Sequence, residues 1–128
     1  MMKIIYFVLM VLFSAGCSTV AIEPGTHPNI KPLGKIKNVR VQDVKVTKAN
    51  GLLKAVVSLQ NTSRKSRQIY YRFNWLDDSG GLAQDQKVWR VKTLHGEQMG
   101  YIDDKASAGS AVSFYLELSS EGSTYINN

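Results

Sequence analysis

The sequence predicts an all-β protein: an antiparallel β-sandwich of about seven strands over residues 36–120, preceded by a signal peptide and a proline-containing tether. Three observations predict this fold class. Apolar and polar residues alternate with a period of two along most of the region, as they do in half-buried strands. Turn-forming residues separate the alternating runs at intervals of about 8–12 residues, which is typical of a sandwich. No part of the region has the apolar period of an amphipathic helix.

Residues 1–16 are predicted to be a cleaved lipoprotein signal peptide. Lys3 is followed by an unbroken apolar run over residues 4–13, which has the length of a signal-peptide core and is too short to span a bilayer. Small residues come next and end at Cys17. This stretch resembles the bacterial lipobox, in which the cysteine thiol receives a diacylglyceryl group. Ser14 departs from the box, which prefers leucine three positions before the cysteine.

Cys17 is the only cysteine in the chain. It cannot form an internal disulfide, and an unpaired cysteine in an exported protein needs another role. Lipid attachment at Cys17 supplies that role and predicts a membrane-anchored protein of the cell envelope. Two alternatives remain, a conventional cleavage site and an anchor that stays uncleaved. Ser18 stands where an aspartate would favour the inner membrane, so the outer membrane, facing the periplasm of a Gram-negative host, is the predicted location.

Residues 17–35 are predicted to form a flexible tether. They contain every proline of the chain, Pro24, Pro28 and Pro32. Prolines spaced in this way oppose helix and sheet and favour an extended conformation. At the other end of the chain, residues 121–128 are predicted to be a polar tail.

The mature chain is moderately basic. The net charge of the sequence is +6, and removal of residues 1–16 takes away only the charge of Lys3, which leaves +5. This excess predicts either weak attraction to anionic surfaces, such as peptidoglycan carboxylates and lipid headgroups, or ordinary solubility alone. Because the protein is predicted to be exported, we expect no nucleic-acid partner.

The first predicted strands follow the tether. Alternating valines over residues 39–46 change phase at residues 42–43, which predicts a β-bulge or a change of strand. Residues 49–51 (ANG) signal a hairpin. Residues 53–59 then alternate toward a core, and residues 61–66 are predicted to be a polar turn.

The clearest strand covers residues 69–75. One face carries Ile69, Tyr71, Phe73 and Trp75, and the other carries Tyr70, Arg72 and Asn74. An Ig-like sandwich commonly buries a central aromatic residue, so we expect Phe73 and Trp75 to lie in the core. The remaining elements are predicted in this order: a turn at 77–81, strands at 88–91 and 98–102 separated by a turn at 94–96, a loop at 105–110 and a strand at 112–118.

No catalytic or metal site is predicted. A nucleophile needs a base within reach, but His27 lies in the tether and His95 in a predicted turn, and no nucleophile-elbow motif is present. Asp77 and Asp78 precede two glycines, yet the alternating ligands and the final glutamate of a calcium loop are missing. Cysteine and histidine ligands with zinc spacing are also missing. We therefore predict a protein with neither cofactor nor enzymatic activity.

The candidate binding residues are Tyr70, Arg72 and Tyr115. All three stand on the polar phase of their strands. Tyr70 and Arg72 are expected to face solvent and to contribute to a surface for a sugar or a peptide. Trp89 and Tyr115 are ambiguous between core and surface. The charged loop over residues 64–67 is interpreted as a solvated turn.

Two segments resemble a known family. The central signature of the YcfL-like predicted periplasmic lipoproteins is similar to two stretches of this chain, Gln60-Asn61-Thr62 and residues 68–77 (QIYYRFNWLD). Trp89, residues 94–97 and the strand around residues 114–116 fit the same pattern. The resemblance implies an Ig-like β-sandwich in the cell envelope. The family has no settled biochemical role, so the resemblance implies no functional residues.

These observations support two functional hypotheses. The first is a non-enzymatic lipoprotein that is held at the membrane by the lipid on Cys17 and acts as a binding or accessory module for an envelope protein. The second is a lipoprotein that binds peptidoglycan or another carbohydrate through exposed aromatic residues and its positive charge. An enzyme is the least favoured class.

Overall fold

Seven β-strands in two sheets form the part of the protein that the computed structural model describes, residues 27–120. The strands are β1 (Ile30–Leu33), β2 (Val39–Ala49), β3 (Leu52–Asn61), β4 (Arg67–Leu76), β5 (Arg90–Leu94), β6 (Met99–Lys105) and β7 (Ser113–Ser119). One sheet has the order β1-β7-β4-β5 and the other has the order β2-β3-β6. The predicted all-β sandwich is confirmed. Among the described residues there is no helix that is long and apolar enough to cross a membrane.

The predicted signal peptide, Cys17 and the polar tail over residues 121–128 lie outside the described residues. Most of the predicted tether lies outside them as well. The lipid-attachment prediction therefore stays a prediction of the sequence.

The core lies between the two sheets and is rich in aromatic residues. Phe73 and Trp75 of β4 are buried, as predicted, and so are Ile69 and Tyr71 on the same face. The Phe114 ring of β7 packs against the rings of Phe73 and Trp75. Its centroid lies 5.7 Å from the Phe73 centroid and 5.5 Å from the Trp75 centroid. The period-two pattern of residues 69–75 therefore identified the inward face of the strand correctly.

The hairpin between β2 and β3 has the predicted turn and the predicted bulge. The pairing register shifts between Val41 and Asp43, so the change of phase marks a bulge within one long strand and not a change of strand. Asn50 and Gly51 have φ angles of 53° and 77°, and two positive values in succession are what a type I′ hairpin turn requires.

Strand β1 differs from the sequence prediction. Ile30–Leu33 belongs to the segment assigned to a flexible tether, but it pairs in parallel with β7, and the other strand pairs are antiparallel. Ile30 is buried, and the Asn29 side chain donates a hydrogen bond of 2.7 Å to the Phe114 carbonyl. Pro32 is accommodated because an edge strand pairs on one side only.

The strand predicted at residues 88–91 is displaced along the chain. Val88 is 81% exposed, and β5 begins only at Arg90. The residues before it are held by side chains instead, since the Lys87 ammonium lies 2.9 Å from the Asp104 carboxylate. Local alternation does not distinguish such a segment from a strand.

Two loops meet at one end of the sandwich, around the buried Asn61. Its side-chain amide donates hydrogen bonds to the carbonyls of Lys65 and Leu94 at 2.7 and 3.0 Å. The loop over residues 95–98 lies directly against the loop over residues 61–66, because the Glu97 N–H donates to the Ser63 carbonyl at 2.8 Å. This close approach leaves no space for a side chain at residue 96.

Gly96→Ala is expected to reduce the free energy of unfolding by about 1–3 kcal/mol, the range for overpacked sites. A Cβ atom at this position would lie 2.2 Å from the Arg64 carbonyl oxygen, so the backbone of one loop must move. The matched control is Gly109→Ala, where a Cβ would meet nothing within 4 Å. Urea denaturation of both variants is the measurement, and equal midpoints would contradict the prediction.

Candidate binding face on the four-stranded sheet

The three predicted binding residues lie on one face of the four-stranded sheet. In the antiparallel pairing of β4 with β7, Tyr70 is opposite Ser119, Arg72 is opposite Glu117, and Asn74 is opposite Tyr115. Opposite residues in a sheet project to the same side, and these side chains alternate with the buried set of β4. The outer side of this sheet is called the aromatic face below, defined by Tyr70, Arg72, Trp89 and Tyr115.

Glu117 organises the centre of this face. Its Oε1 atom accepts hydrogen bonds from Arg72 Nε at 3.1 Å and from Asn74 Nδ2 at 2.7 Å, and Arg72 Nη2 lies 3.0 Å from the same oxygen. Gln86 Nε2 donates to Asn74 Oδ1 at 2.9 Å. The network therefore joins two strands to the segment before β5, and it fixes the orientation of Arg72.

Arg72 is less exposed than the sequence predicts. Its side chain is only 19% exposed and that of Glu117 is 12% exposed, because the two cover each other and Asn74 is buried beneath them. Tyr70 and Tyr115 are half-buried. The face is thus an ordered surface, in which only parts of the candidate side chains reach solvent.

Trp89, which the sequence leaves ambiguous, belongs to this face. Tyr71 pairs with Arg90, so the preceding residue of the chain comes beside Arg72, and the Arg72 guanidinium carbon lies 4.5 Å from the centroid of the Trp89 ring. At the other edge, the Lys31 ammonium lies 3.9 Å from the centroid of the Tyr115 ring. A cation over an aromatic face is an attractive arrangement.

Sequence reasoning missed Lys31 and Glu117 as parts of this surface. The prolines place Lys31 in the predicted tether together with the rest of β1, so its alternation with Ile30 does not mark a strand in the sequence. Glu117 is an ordinary polar position in an alternating strand. Only the pairing of β7 with β4 places it against Arg72.

The polar groups considered for catalysis or metal binding lie elsewhere. His95 is exposed in the loop after β5. The Asp77 carboxylate holds its own turn, as it accepts hydrogen bonds from the Ser79 hydroxyl at 2.6 Å and from the Gly81 N–H at 3.1 Å. The Ser79 bond is the main cause that lowers the pKa of Asp77. Within residues 27–120 no group of three histidine, cysteine, aspartate or glutamate side chains is placed to hold a metal.

Glu117→Gln is expected to lower the free energy of unfolding by about 1–3 kcal/mol, because it leaves the largely covered Arg72 without its carboxylate. The matched control is Glu97→Gln. Glu97 pairs with Arg64 at 3.8 Å, and their side chains are 68% and 94% exposed, so its loss should cost less than about 1 kcal/mol. Chemical denaturation compares the two variants. A Glu117 effect no larger than that of Glu97 would show that the network does not stabilise the face.

Comparison with known proteins gives a family but no activity. No curated protein matches the chain. The crystal structure of a DUF1425 family member from Shewanella sp. pv-4 is similar at 28% identity and a TM-score of 0.58, covering 62% of this chain and 75% of that one. The crystal structure of Campylobacter jejuni cj0090 is similar at 21% identity and a TM-score of 0.64, covering 74% of this chain and 100% of that one. The second likeness shows the fold alone.

The matched family is described as a protein of unknown function, DUF1425. Its match covers residues 34–120, which include β2 to β7 and the β4 and β7 residues of the aromatic face. Strand β1, with Lys31, lies before the matched region. The chain therefore belongs to the DUF1425 family.

Proposed function

We propose that this protein is a lipid-anchored, non-enzymatic binding module of the bacterial cell envelope, and that its aromatic face docks an envelope protein. The lipid on Cys17 would hold the domain at the periplasmic side of the outer membrane. The lipobox-like sequence and the resemblance to YcfL-like periplasmic lipoproteins support this location. The tether would allow the domain to reach a partner away from the membrane surface.

The observation that carries the proposal is the composition of the aromatic face. One tryptophan, two tyrosines and one arginine lie together on one face of a sheet. Tryptophan, tyrosine and arginine are the residue types that most often dominate the binding energy of protein–protein interfaces. Glu117 already orders Arg72, so less side-chain entropy is lost on binding than for a free arginine.

The same geometry disfavours the alternative of carbohydrate binding. A sugar ring stacks on an open aromatic face, but Arg72 occupies one face of the Trp89 ring and Lys31 one face of the Tyr115 ring, which halves the faces that these two rings offer for stacking. Among the described aromatic residues of this face, Tyr70 alone lacks a cation above its ring. A protein partner can contact the ring edges without displacing these cations.

Site-specific photocrosslinking tests the proposed partner. A photoreactive phenylalanine analogue at residue 70 or 115 is expected to give one discrete adduct in intact cells, and Trp89→Ala in the same chain is expected to remove it. The matched control places the analogue at Tyr101, which is 60% exposed on the outer side of the other sheet. An identical set of adducts from position 101, unchanged by Trp89→Ala, would contradict a docking surface on the aromatic face.

Cosedimentation with purified sacculi tests the peptidoglycan alternative. We expect the protein to stay in the supernatant at low salt when its membrane partners are absent. Binding that survives high salt and is lost in Tyr70→Ser, but not in Tyr101→Ser, would replace the protein-docking proposal with the carbohydrate one.

A further inference from the structure

A basic cavity lies at the end of the sandwich where β7 ends and β4 begins. It has a volume of about 390 Å³, and the described residues that line it are Lys35, Lys37, Arg67 and Ser120. Three of these four residues carry a positive charge. The cavity is separate from the aromatic face and forms no part of the function proposed above.

Lys35 and Lys37 line the cavity from the same chain segment. They flank Ile36, which packs against the core, so in an extended segment both neighbours turn away from the core, and both are exposed. Gly34 and Asn38 have φ angles of 71° and 60° and bend the chain on either side of this segment. The Ser120 hydroxyl donates to the Lys35 carbonyl at 3.2 Å, which ties the segment to the end of β7.

The cations of the cavity are not neutralised within the described part of the chain. No carboxylate of residues 27–120 forms an ion pair with Lys35, Lys37 or Arg67. Arg67 uses Nε alone, in a long hydrogen bond of 3.4 Å to the Ser63 hydroxyl. Within residues 27–120, both terminal nitrogens of its guanidinium and the two lysine ammonium groups are therefore available to a ligand, whereas the Ser120 hydroxyl already donates its hydrogen to the Lys35 carbonyl.

We propose that this cavity binds a phosphate group. Like charges brought together repel each other, and a bound anion relieves that repulsion. A phosphate offers several oxygens in a tetrahedral arrangement, so it can accept from the Arg67 fork and from both lysines at once. A carboxylate has two oxygens in one plane and cannot satisfy an arginine fork and two lysines from two chain segments equally well.

Two sources can present this chemistry in an envelope: a phospholipid headgroup and a soluble phosphorylated compound. Amine labelling of the full chain in neutral detergent micelles, read by mass spectrometry, distinguishes them. One arm adds inorganic pyrophosphate, and the other replaces part of the micelle with phosphatidylglycerol. Labelling of Lys35 and Lys37 is expected to slow several-fold in at least one arm, while labelling of the exposed Lys45 and Lys48 stays unchanged. Protection in the lipid arm alone assigns the headgroup, and protection by pyrophosphate assigns a soluble ligand.

A matched pair of arginine variants separates a built site from general charge attraction. Arg67→Gln is expected to lower the affinity for the protecting ligand by about tenfold, which corresponds to the loss of one hydrogen bond between charged groups. Arg64→Gln removes the same charge from an exposed position of the neighbouring loop and is expected to change the affinity by less than about twofold. Circular dichroism confirms that both variants fold.

Three results would overturn the proposal. The first is unchanged labelling of Lys35 and Lys37 in both arms. The second is an equal loss of affinity in Arg67→Gln and Arg64→Gln, which indicates nonspecific attraction. The third is stronger protection by a triglutamate peptide than by either phosphate source, which would assign the cavity to carboxylates.

Discussion

Trp75→Ala is expected to reduce the free energy of unfolding by about 3–5 kcal/mol, the range for removing a large buried aromatic side chain. Trp75 is 1% exposed, and its ring lies 6.3 Å from that of Phe73 and 5.5 Å from that of Phe114, between centroids. The cavity left by alanine would face both rings. Urea denaturation monitored by circular dichroism is the measurement.

A second contribution comes from the polar edge of the indole. Trp75 Nε1 donates to Asp104 Oδ2 at 2.9 Å, and Lys87 Nζ donates to Asp104 Oδ1 at 2.9 Å. This bridge joins β4 in one sheet to β6 in the other, with a carboxylate that is 9% exposed. Trp75→Phe keeps most of the packing and removes only the donor, so a smaller loss of about 1–3 kcal/mol is expected.

Trp89→Ala is the matched control for both variants. Trp89 is half-buried on the aromatic face. Its replacement by alanine should therefore reduce the free energy of unfolding by less than the replacement of Trp75 does. A loss for Trp75→Ala that does not exceed that for Trp89→Ala would contradict the central position of Trp75 in the core.

Cys17→Ser is expected to abolish acylation and processing of the chain. Metabolic labelling with a radioactive fatty acid should fall to background, and intact-mass spectrometry should find residues 1–16 still attached. The physical basis is that the lipid is attached to the thiol sulfur, which serine lacks. Each methylene buried in the bilayer contributes about 0.8 kcal/mol to the free energy of membrane binding, so two or more acyl chains give a stable anchor.

Ser14→Leu is the matched change for this experiment, because it restores the preferred lipobox residue and leaves the thiol in place. It is expected to be processed at least as fast as the native chain. Cleavage of Cys17→Ser at the native position would contradict lipidation and support a conventional secretory site. An acyl-free native chain that retains residues 1–16 would support an uncleaved anchor.

Much of the fold was predictable from local patterns. The alternation over residues 69–75 identified the inward face of β4, the change of phase at residues 42–43 identified the bulge, and Asn50-Gly51 identified the hairpin turn. Each of these signals depends on residues within a few positions of one another. An alternation with a period of two, or an Asn-Gly pair that favours positive φ angles, is recognised without information about the rest of the chain.

The candidate site was predictable only in part. The polar phase of β4 and β7 was sufficient to select Tyr70, Arg72 and Tyr115 as candidate binding residues. The partners that make them a surface come from distant parts of the chain. Glu117 is 45 residues from Arg72, and Lys31 reaches Tyr115 only because β1 pairs with β7.

The sequence by itself therefore determined the all-β class, the inward and outward faces of the main strands and the predicted lipid attachment at Cys17. The tertiary structure alone decided that Ile30–Leu33 is a strand, that Trp89 lies over Arg72, and that three cations share one cavity. The physical reason is the range of the interactions. Burial pattern and turn geometry are local properties, whereas pairing of strands that are far apart in sequence depends on how the whole sandwich closes.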